Sequence, residues 1–378
     1  MADARHLQQA MLWSASDVAR IADDNIPTIP VITSGDVRAL IPGLDLWDAW
    51  PIQHRDGRTA DFNGTALWMM LSSPALPDPA LRHGEARLRL IAQIDNEWAD
   101  CGDLLPAGFS PGTREWAGSA VLGDDGCTVT LYFTATGRPD EPFTFEQRLF
   151  ETSGTLRADA RLIENWSTPE EIVESDGLYY VDTQISAGVP GLIKGFRDPG
   201  YFCDSADDRE YLVFTGSNGH NDDDYNGVVG LISRDETGWS LQPPVVSALG
   251  LCNELERPHI LYRDRLYYLF WSTQRHVFAP FGPSGPNGLY GAVADTVRGP
   301  YRLLNGTGLV AANPDEEPTQ SYSWLVLDTL DVVSFIDYWG MAGRKLNDNP
   351  ALVRSQFGGT AAPVFRIALD GDTTRIVD

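Results

Sequence analysis

Apolar and polar residues alternate over many short stretches of this chain, which predicts β-strands. In residues 128–134, Val129, Leu131 and Phe133 alternate with threonine and tyrosine, a period of two that is typical of a half-buried strand. The same kind of run predicts strands at residues 88–94, 143–150, 155–163, 211–215, 228–233, 266–272, 289–294, 322–327, 331–337 and 364–369. Turn signals such as Asp56-Gly57 and Asn226-Gly227 separate these runs.

Only the beginning of the chain predicts a helix. Ser14 to Asp17 supply N-cap candidates ahead of Val18, Ala19, Ile21 and Ala22, and Pro27 ends the pattern. No linker divides the remainder, so we expect one domain over residues 42–378, preceded by a short helical and extended segment over residues 1–41 that packs on it. Many short antiparallel strands fit a sandwich pair, a large barrel or a propeller, and no WD or kelch repeat selects among them.

Net charge excludes several classes of partner. The 28 basic and 53 acidic residues give a net charge of −25. Nucleic acid and anionic membranes would be repelled, since both bind proteins mainly through Lys and Arg. No apolar run reaches the length of a membrane-spanning helix, and residues 1–10 lack the apolar core of a secretory signal. Only Lys194 and Lys345 are lysines, and this scarcity, with the acidic surplus, suggests the hypothesis of a protein that works in high salt.

Cysteine and histidine spacing indicates no metal or redox motif. The four cysteines, Cys101, Cys127, Cys203 and Cys252, form no C-x-x-C pair. Free thiols are the favoured interpretation, with one or two disulfides as the alternative. His6, His54, His83, His220 and His259 form no ligand-spaced cluster and are interpreted as structural or surface residues.

Two segments place an aspartate in unusual surroundings. Asp48 is flanked by Trp47 and Trp50 in an otherwise apolar run, where burying its charge is costly without a partner. A hairpin turn is the alternative interpretation. Arg197 and Asp198 precede Pro199, which favours an extended or turn conformation at Asp198, and a structural salt bridge is the alternative there.

A third segment carries two glutamates on one strand face. Glu254 and Glu256 are two residues apart, so in a strand their carboxylates lie together and the pKa of one should rise. A solvated acidic edge is the alternative, although the apolar residues around the pair suggest burial. Paired carboxylates are what a retaining glycosidase uses, and tryptophans beside acids are common in sugar sites.

Five ordered segments resemble the levansucrase and inulosucrase family, glycoside hydrolase family 68. They are Trp47-Asp48-Ala49-Trp50-Pro51, Glu115-Trp116-Ala117-Gly118-Ser119-Ala120, Phe196-Arg197-Asp198-Pro199, Glu254-Leu255-Glu256-Arg257-Pro258 and Tyr322-Ser323. The resemblance runs from about residue 42 to the carboxyl end. It implies an all-β, five-bladed β-propeller with a central funnel-shaped pocket, and sucrose as the fructosyl donor.

The resemblance also implies roles for individual residues. Asp48 would be the nucleophile, Glu256 the general acid and base, and Asp198 the stabiliser of the transition state. In the proposed reaction, Glu256 is kept protonated by burial and by Glu254, and fructose passes through Asp48 to a sugar acceptor or to water. Other residues would form the substrate-binding shell: Trp47, Trp116, Arg197, Glu254, Arg257, Gln274 and Tyr322. A sucrose hydrolase and a non-catalytic sugar-binding propeller are the alternatives.

The sequence departs from this family at several positions. Ala117 replaces the usual serine, and Gln274, Arg275 or His276 stands where an acceptor-side His or Arg is common.

No cofactor is expected, and a solvated turn is favoured over the alternative of a calcium site. Residues 222–227 copy the first half of an EF-hand loop, but Ser233 replaces the final glutamate, and Asn253 replaces an aspartate of calcium-binding relatives. The resemblance further implies an extracellular monomer that binds sucrose and fructosyl acceptors.

Overall fold

The computed structural model describes residues 10–21, 26–95, 97–189, 191–220 and 223–377. It begins with strand β1 (Met11–Leu12) and helix α1 (Ala15–Val18). The carboxylate of Asp17 accepts hydrogen bonds from the backbone N–H and the hydroxyl of Ser14, at 2.8 and 2.7 Å, so the predicted N-cap is present. The helix is a single turn, and Ala22 and His6 lie outside the described residues. The proposed division at residue 41 stays a prediction.

The first large sheet joins two antiparallel meanders. The first contains β2 (Leu44–Gln53), β3 (Thr65–Pro74), β4 (Arg87–Ile94) and β5 (Glu97–Asp103). The second contains β6 (Arg114–Leu122), β7 (Thr128–Thr136), β8 (Gln147–Leu156), β9 (Ile163–Glu164) and β10 (Glu170–Val173). A short parallel pairing of Ile52 and Gln53 with Ala120 and Val121 links the two.

Three further sheets and a hairpin follow along the chain. The hairpin is β11 (Gly188–Val189) and β12 (Leu192–Ile193). The next sheet contains β13 (Phe196–Cys203), β14 (Glu210–Ser217), β15 (Gly227–Asp235) and β16 (Gly238–Ser247). The third sheet contains β17 (Glu256–Arg263), β18 (Leu266–Thr273), β19 (Gly288–Ala294), β20 (Arg302–Leu303) and β21 (Leu309–Ala312). The last contains β22 (Ser321–Val326), β23 (Asp331–Tyr338), β24 (Phe357–Ala361), β25 (Phe365–Asp370) and β26 (Thr373–Val377).

Helical structure in the described residues is limited to short segments. Helix α2 spans Leu352–Ser355. The 3₁₀ helices are Pro79–Gly84, Arg275–Val277, Leu304–Gly306 and Leu346–Asp348. None of the helices is long and apolar enough to span a membrane. The all-β class predicted from the alternating pattern is therefore confirmed.

The first strand of each meander faces the middle of the molecule. Strands β2, β6, β13, β17 and β22 contact one another in that order, and β22 returns to contact β2. Apolar side chains pack between the sheets, and fully buried tryptophans such as Trp47, Trp271 and Trp324 fill the space. Strand β1 pairs in parallel with β16 and so extends the sheet formed by β13 to β16. The centroid of the Trp13 ring lies 4.8 Å from that of Tyr290.

Two strand predictions need correction. Residues 143–150 do not form one strand, because β8 begins only at Gln147 and residues 143–146 have no regular strand pairing. Residues 155–163 are divided by a turn in which Ala160 has a φ of 51°. All four cysteines are free thiols, as favoured from their spacing.

Candidate active site

A bulge in each innermost strand builds one wall of an open cavity. In each of these five strands the register against the neighbouring strand shifts after one equivalent residue. These residues are Trp47, Trp116, Arg197, Glu256 and Tyr322. A bulge re-aims side chains that would otherwise alternate across the sheet. All five of these side chains line a cavity of about 960 Å³.

The residue after each bulge position is also exceptional. Asp48, Asp198, Arg257 and Ser323 have φ values of 51°, 60°, 49° and 61°, in the left-handed region that side chains other than Gly, Asn and Asp rarely occupy. In the remaining innermost strand, β6, the equivalent residue is Ala117, which is buried and does not have a left-handed conformation. Such strain persists only where the surrounding structure holds it, and it concentrates at functional sites.

All ten residues predicted for the site line this one cavity. They are Asp48, Asp198, Glu256, Trp47, Trp116, Arg197, Glu254, Arg257, Gln274 and Tyr322. Residues distant in sequence are therefore brought together, while their individual roles stay predictions.

Asp198 is held by hydroxyl groups and flanked by an arginine. Its Oδ2 accepts a hydrogen bond from the Thr215 hydroxyl at 3.0 Å, and its backbone N–H donates to the Thr134 hydroxyl at 2.9 Å. The Arg197 Nε lies 3.5 Å from the same carboxylate. Burial nevertheless raises the pKa of Asp198 to about 7, because the charges of Glu256 and Asp48 add to the cost of desolvation.

Arg257 connects the backbone beside Asp48 to Ser323 in strand β22. Its guanidinium donates to the carbonyl of Ala49 at 2.8 Å and to the hydroxyl of Ser323 at 2.7 Å. Burial raises the pKa of Asp48, while Arg257 and a hydrogen bond from Ser323 oppose this shift. The carboxylate remains partly exposed to the cavity, as a group that contacts a ligand must be.

Glu256 is bound from two directions. The Arg197 guanidinium donates to its Oε1 at 2.5 Å, and the Tyr322 hydroxyl donates to its Oε2. Burial opposes the ionisation of Glu256, but Arg197 and Tyr322 outweigh it and lower the pKa of Glu256. Burial and the neighbouring charge of Glu256 raise the pKa of Glu254 to about 8. The sequence correctly predicted a raised pKa in this pair, but the raised pKa belongs to Glu254 and not to Glu256, where it was expected.

The cavity also contains residues that the motif analysis did not select. Arg82 and His83 come from the 3₁₀ helix, and Asp337 comes from the end of β23. The centroids of the His83 and Trp47 rings are 5.9 Å apart. His83 was interpreted from the sequence as a structural or surface residue, and its place in the cavity wall was not predicted. An aspartate ending the apolar run of β23 was a usable signal for Asp337, whereas nothing local distinguishes Arg82.

The ambiguity at residues 274–276 is resolved by geometry. Gln274 and His276 line the cavity. Arg275 instead has its backbone N–H bound to the Asn287 side chain at 2.7 Å, and its guanidinium reaches the carbonyl of Gly285 at 3.5 Å. Gln274 and His276 are therefore the residues of this segment that can contact a ligand.

Several buried polar atoms of the cavity have no hydrogen-bond partner among the described residues. They are Trp47 Nε1, Arg197 Nη1 and Asp337 Oδ1. Buried polar groups are ordinarily paired, so two donors and an acceptor in one cavity suit a ligand rich in hydroxyl groups.

An internal cation lies near the segment considered for calcium. The buried Lys194 ammonium donates to the Asp224 carbonyl at 2.8 Å and to the Asn226 side-chain oxygen at 2.9 Å. Asp222 lies outside the described residues. Within the described ranges, no cluster of three or more His, Cys, Asp or Glu side chains is arranged to hold a metal ion. The preference for a solvated turn over a calcium site at residues 222–227 stays a prediction.

This chain is similar to known proteins along nearly its whole length. The profile of the Levansucrase/Invertase family, glycoside hydrolase family 68, matches residues 1–228 and 224–378. The levansucrase Lscbeta of Pseudomonas syringae pv. actinidiae is 30% identical, over 96% of this chain and 89% of the relative. A structure described as the inulosucrase of Halalkalicoccus jeotgali bound to kestose has 36% identity and a TM-score of 0.88, covering 97% of this chain and 95% of that one.

A more distant structure supports the fold alone. The levansucrase of Bacillus subtilis is 21% identical with a TM-score of 0.80, covering 98% of this chain and 95% of that one. Taken with the match of the family profile along the chain and the ten predicted site residues gathered in one cavity, these similarities show that the chain belongs to the levansucrase/invertase family.

Proposed function

We propose that this protein is a retaining fructosyltransferase that cleaves sucrose and passes fructose to a sugar acceptor or to water. The observation that carries the proposal is the convergence of Asp48, Asp198 and Glu256 on one cavity, beside Arg197 and Arg257. Relatives named levansucrase and inulosucrase cover nearly the whole chain, which supports sucrose as the donor.

The same proposal includes a five-bladed propeller. The ring of contacts through β2, β6, β13, β17 and β22 supports it, as does the bulge that recurs in each of these strands. In this arrangement the innermost strands surround a central axis, and the cavity opens at one end of it. Each blade then contributes one bulge to the site.

The first chemical step breaks the bond between fructose C2 and the glycosidic oxygen. Glu256 gives its proton to that oxygen as an Asp48 carboxylate oxygen bonds to C2, and glucose leaves. Positive charge develops on the fructose ring during this step. The carboxylates of Asp48 and Asp198 line the cavity where that charge develops and stabilise it.

The second step releases fructose from Asp48. Glu256, now a carboxylate, removes a proton from an incoming hydroxyl, whose oxygen bonds to C2 as the Asp48 oxygen departs. A sugar hydroxyl gives a fructan or an oligosaccharide, and water gives free fructose. The openness of the cavity leaves room for both, so hydrolysis is the competing outcome on the same residues.

The first step requires a proton on Glu256, and the site holds one nearby. Four acids, Asp48, Asp198, Glu254 and Glu256, share the cavity with three arginines, Arg82, Arg197 and Arg257. Because the pKa values of Asp198 and Glu254 are raised to about 7 and about 8, the acids do not all ionise together near neutral pH. The raised pKa of Glu254 and the lowered pKa of Glu256 favour Glu254 as the carrier of the proton within this pair. A sugar hydroxyl that binds Arg197 weakens its bond to Glu256, so substrate binding shifts the proton towards the leaving oxygen.

Product analysis tests the proposal. Incubation with concentrated sucrose should release more glucose than free fructose, with the difference recovered in oligosaccharides or polymer. Transfer to methanol should give a fructoside with the β configuration of sucrose at C2, as double displacement requires. Equal glucose and fructose would indicate a hydrolase, and the opposite configuration would exclude the covalent mechanism.

The family resemblance also leads us to propose an extracellular monomer. Cell fractionation of the source culture and size-exclusion chromatography test the two parts separately. Activity confined to the cell interior would contradict the first, and elution at twice the mass of 41.5 kDa would contradict the second.

A further inference from the structure

A second, smaller cavity lies behind Asp198, away from the catalytic cavity. It has a volume of about 80 Å³ and is lined by the same five innermost strands, but by residues that follow the bulge in each strand. These residues include Trp50 in β2, Ser119 in β6, Tyr201 in β13, His259 in β17 and Val326 in β22. The two cavities therefore lie on opposite sides of the bulged layer, and we name the smaller one the rear cavity.

Asp198 and Arg257 separate the two cavities. Among the described residues, they are the two that line both. The hydrogen bond from the Thr215 hydroxyl and the contact with Arg197 both involve Oδ2 of Asp198, which leaves Oδ1 for solvent or a ligand. One carboxylate is thus within reach of solvent from either side of the bulged layer.

The rear cavity is large and polar enough to hold water. One water molecule needs roughly 10–15 Å³, so a volume of about 80 Å³ accommodates several. The side chains of Gln53, Thr59 and Asp328 line the cavity and offer hydrogen bonds. Two exposed residues, Asp56 and Tyr262, also line it, so the cavity reaches the surface and water can enter it from bulk solvent.

We propose that the rear cavity is the solvent compartment of Asp198 during the reaction, where water hydrates the carboxylate and exchanges protons with it while sugar fills the catalytic cavity. This proposal rests on the proposed function, because the second compartment matters only when sucrose occupies the first. A carboxylate cut off from water binds its proton more tightly, since burial disfavours the charged form. Asp198 stabilises positive charge on fructose only when it is ionised, and the rear water keeps it ionised in the substrate complex.

The charges that act on Asp198 are unaffected by what fills the rear cavity. They are Asp48 in β2, Arg197 in β13, Glu254 before β17, and Glu256 and Arg257 in β17. The neighbouring strands β7 and β14 contribute neutral hydroxyls, from Thr134 and Thr215. Burial already raises the pKa of Asp198 to about 7, so a further loss of hydration protonates it near neutral pH.

Cys203 allows the rear cavity to be filled without a change in the catalytic cavity. Its free thiol is partly exposed, lines the rear cavity and lies 3.6 Å from the Arg55 guanidinium. Cys252 is fully buried, so replacing Cys101 and Cys127 by serine leaves Cys203 as the accessible thiol. Propyl methanethiosulfonate forms a mixed disulfide with a thiolate and releases methanesulfinate, which leaves an apolar propylthio group in the cavity.

The labelled protein should lose activity at acid pH. Excluding water from Asp198 raises its pKa, so the acid limb of kcat for glucose release should move upward by about 0.5–1 pH unit, a fraction of the shift that full burial produces. The alkaline limb, the KM for sucrose and the melting temperature should stay unchanged, and reduction with dithiothreitol should restore the original profile. An unshifted acid limb in fully labelled protein would overturn the proposal, as would an equal loss of rate at every pH.

Cys127 provides the matched control. It is a partly exposed thiol in the turn between β6 and β7 and does not line the rear cavity. With Cys101 and Cys203 replaced by serine, labelling of Cys127 should leave the pH profile unchanged. An equal shift in this variant would overturn the assignment of the effect to the rear cavity.

The rate of labelling separates this proposal from the proposed function. In the Asp48→Ala variant, sucrose bound in the catalytic cavity should not slow the reaction of Cys203 with the reagent, because the rear cavity has its own opening. Protection of Cys203 by sucrose would overturn the proposal of a separate solvent compartment. Failure of the unlabelled wild-type protein to cleave sucrose would overturn the proposed function, which is a different result.

Discussion

At the scale of single residues, two arginines organise the candidate site. Arg197 binds Glu256 and flanks Asp198, and Arg257 fixes the backbone beside Asp48. Local sequence revealed these acids because carboxylates beside Arg or Trp in apolar runs are uncommon. The distribution of the proton between Glu254 and Glu256 was not predictable, because it depends on Tyr322, which is distant in the chain.

Tyr322→Phe should move the pH profile upward. The hydroxyl of Tyr322 stabilises ionised Glu256, so its removal raises the pKa of Glu256. An acid that must be protonated then remains active to higher pH, and the alkaline limb of kcat/KM should shift upward. An unchanged or lower alkaline limb would contradict the role given to Glu256. Circular dichroism serves as the control for folding.

His259 connects strand β22 to the backbone of Arg257, which lies in the same strand, β17, as His259 itself. Its Nε2 accepts from the backbone N–H of Val326 at 2.9 Å, so Nδ1 carries the hydrogen that is donated to the carbonyl of Arg257 at 3.1 Å. Burial lowers the pKa of His259 to about 4, which keeps this neutral form over the working pH range. The residue interpreted as merely structural therefore positions the backbone at Arg257.

We expect His259→Ala to lower kcat by about 10- to 100-fold with little change in KM, since displaced catalytic groups cost rate more than binding. His259→Asn, which keeps a donor near Arg257, should recover part of the loss. Steady-state kinetics with sucrose measures both variants. A change confined to KM would show that His259 does not act through the catalytic residues.

At the scale of elements, the strands were predictable where one face is apolar and the other polar. The run at 128–134 became β7 because that alternation matches the period of a strand. The innermost strands were harder to find, because β13 and β17 contain prolines and charges. Their bulges depend on neighbouring strands, so no local pattern shows them.

The Lys194 ammonium offers a test at this scale. It donates hydrogen bonds to backbone and side-chain oxygens of the segment before β15, which are oxygens that could otherwise bind a metal ion. Lys194→Met should lower the melting temperature by several degrees, because these oxygens lose a charged donor. Chelator should leave the wild-type melting temperature unchanged. A chelator-sensitive wild type would show that a metal ion contributes after all.

At the scale of the whole molecule, sheets far apart in sequence meet at one cavity. The order of the motifs identified the family, whereas the place of Arg82 in the cavity depends on how its 3₁₀ helix approaches the other sheets. Such proximity has no signature in a single sequence. The net charge of −25 is likewise a property of the whole surface, and the hypothesis of adaptation to high salt stays a prediction.

Buried acids make stability depend on pH. The pKa of Glu254 is raised to about 8, so its stabilising contribution is complete below its ordinary value of 4.5 and is lost as pH rises towards 8. The melting temperature should therefore fall between pH 5 and 8. Glu254→Gln should reduce this slope, with Asp198 and Glu115 accounting for part of the remainder. An unaltered slope would contradict the assignment.

The central claim is that Asp48 attacks sucrose within the cavity. The most direct measurement is the initial rate of glucose release from sucrose by the wild-type protein, by Asp48→Ala and by Asp124→Ala, a surface control. The account predicts a loss of at least about a thousandfold for Asp48→Ala, in a protein that remains folded, and wild-type activity for the control. Sucrose turnover by Asp48→Ala at a rate comparable with that of the wild type would contradict it.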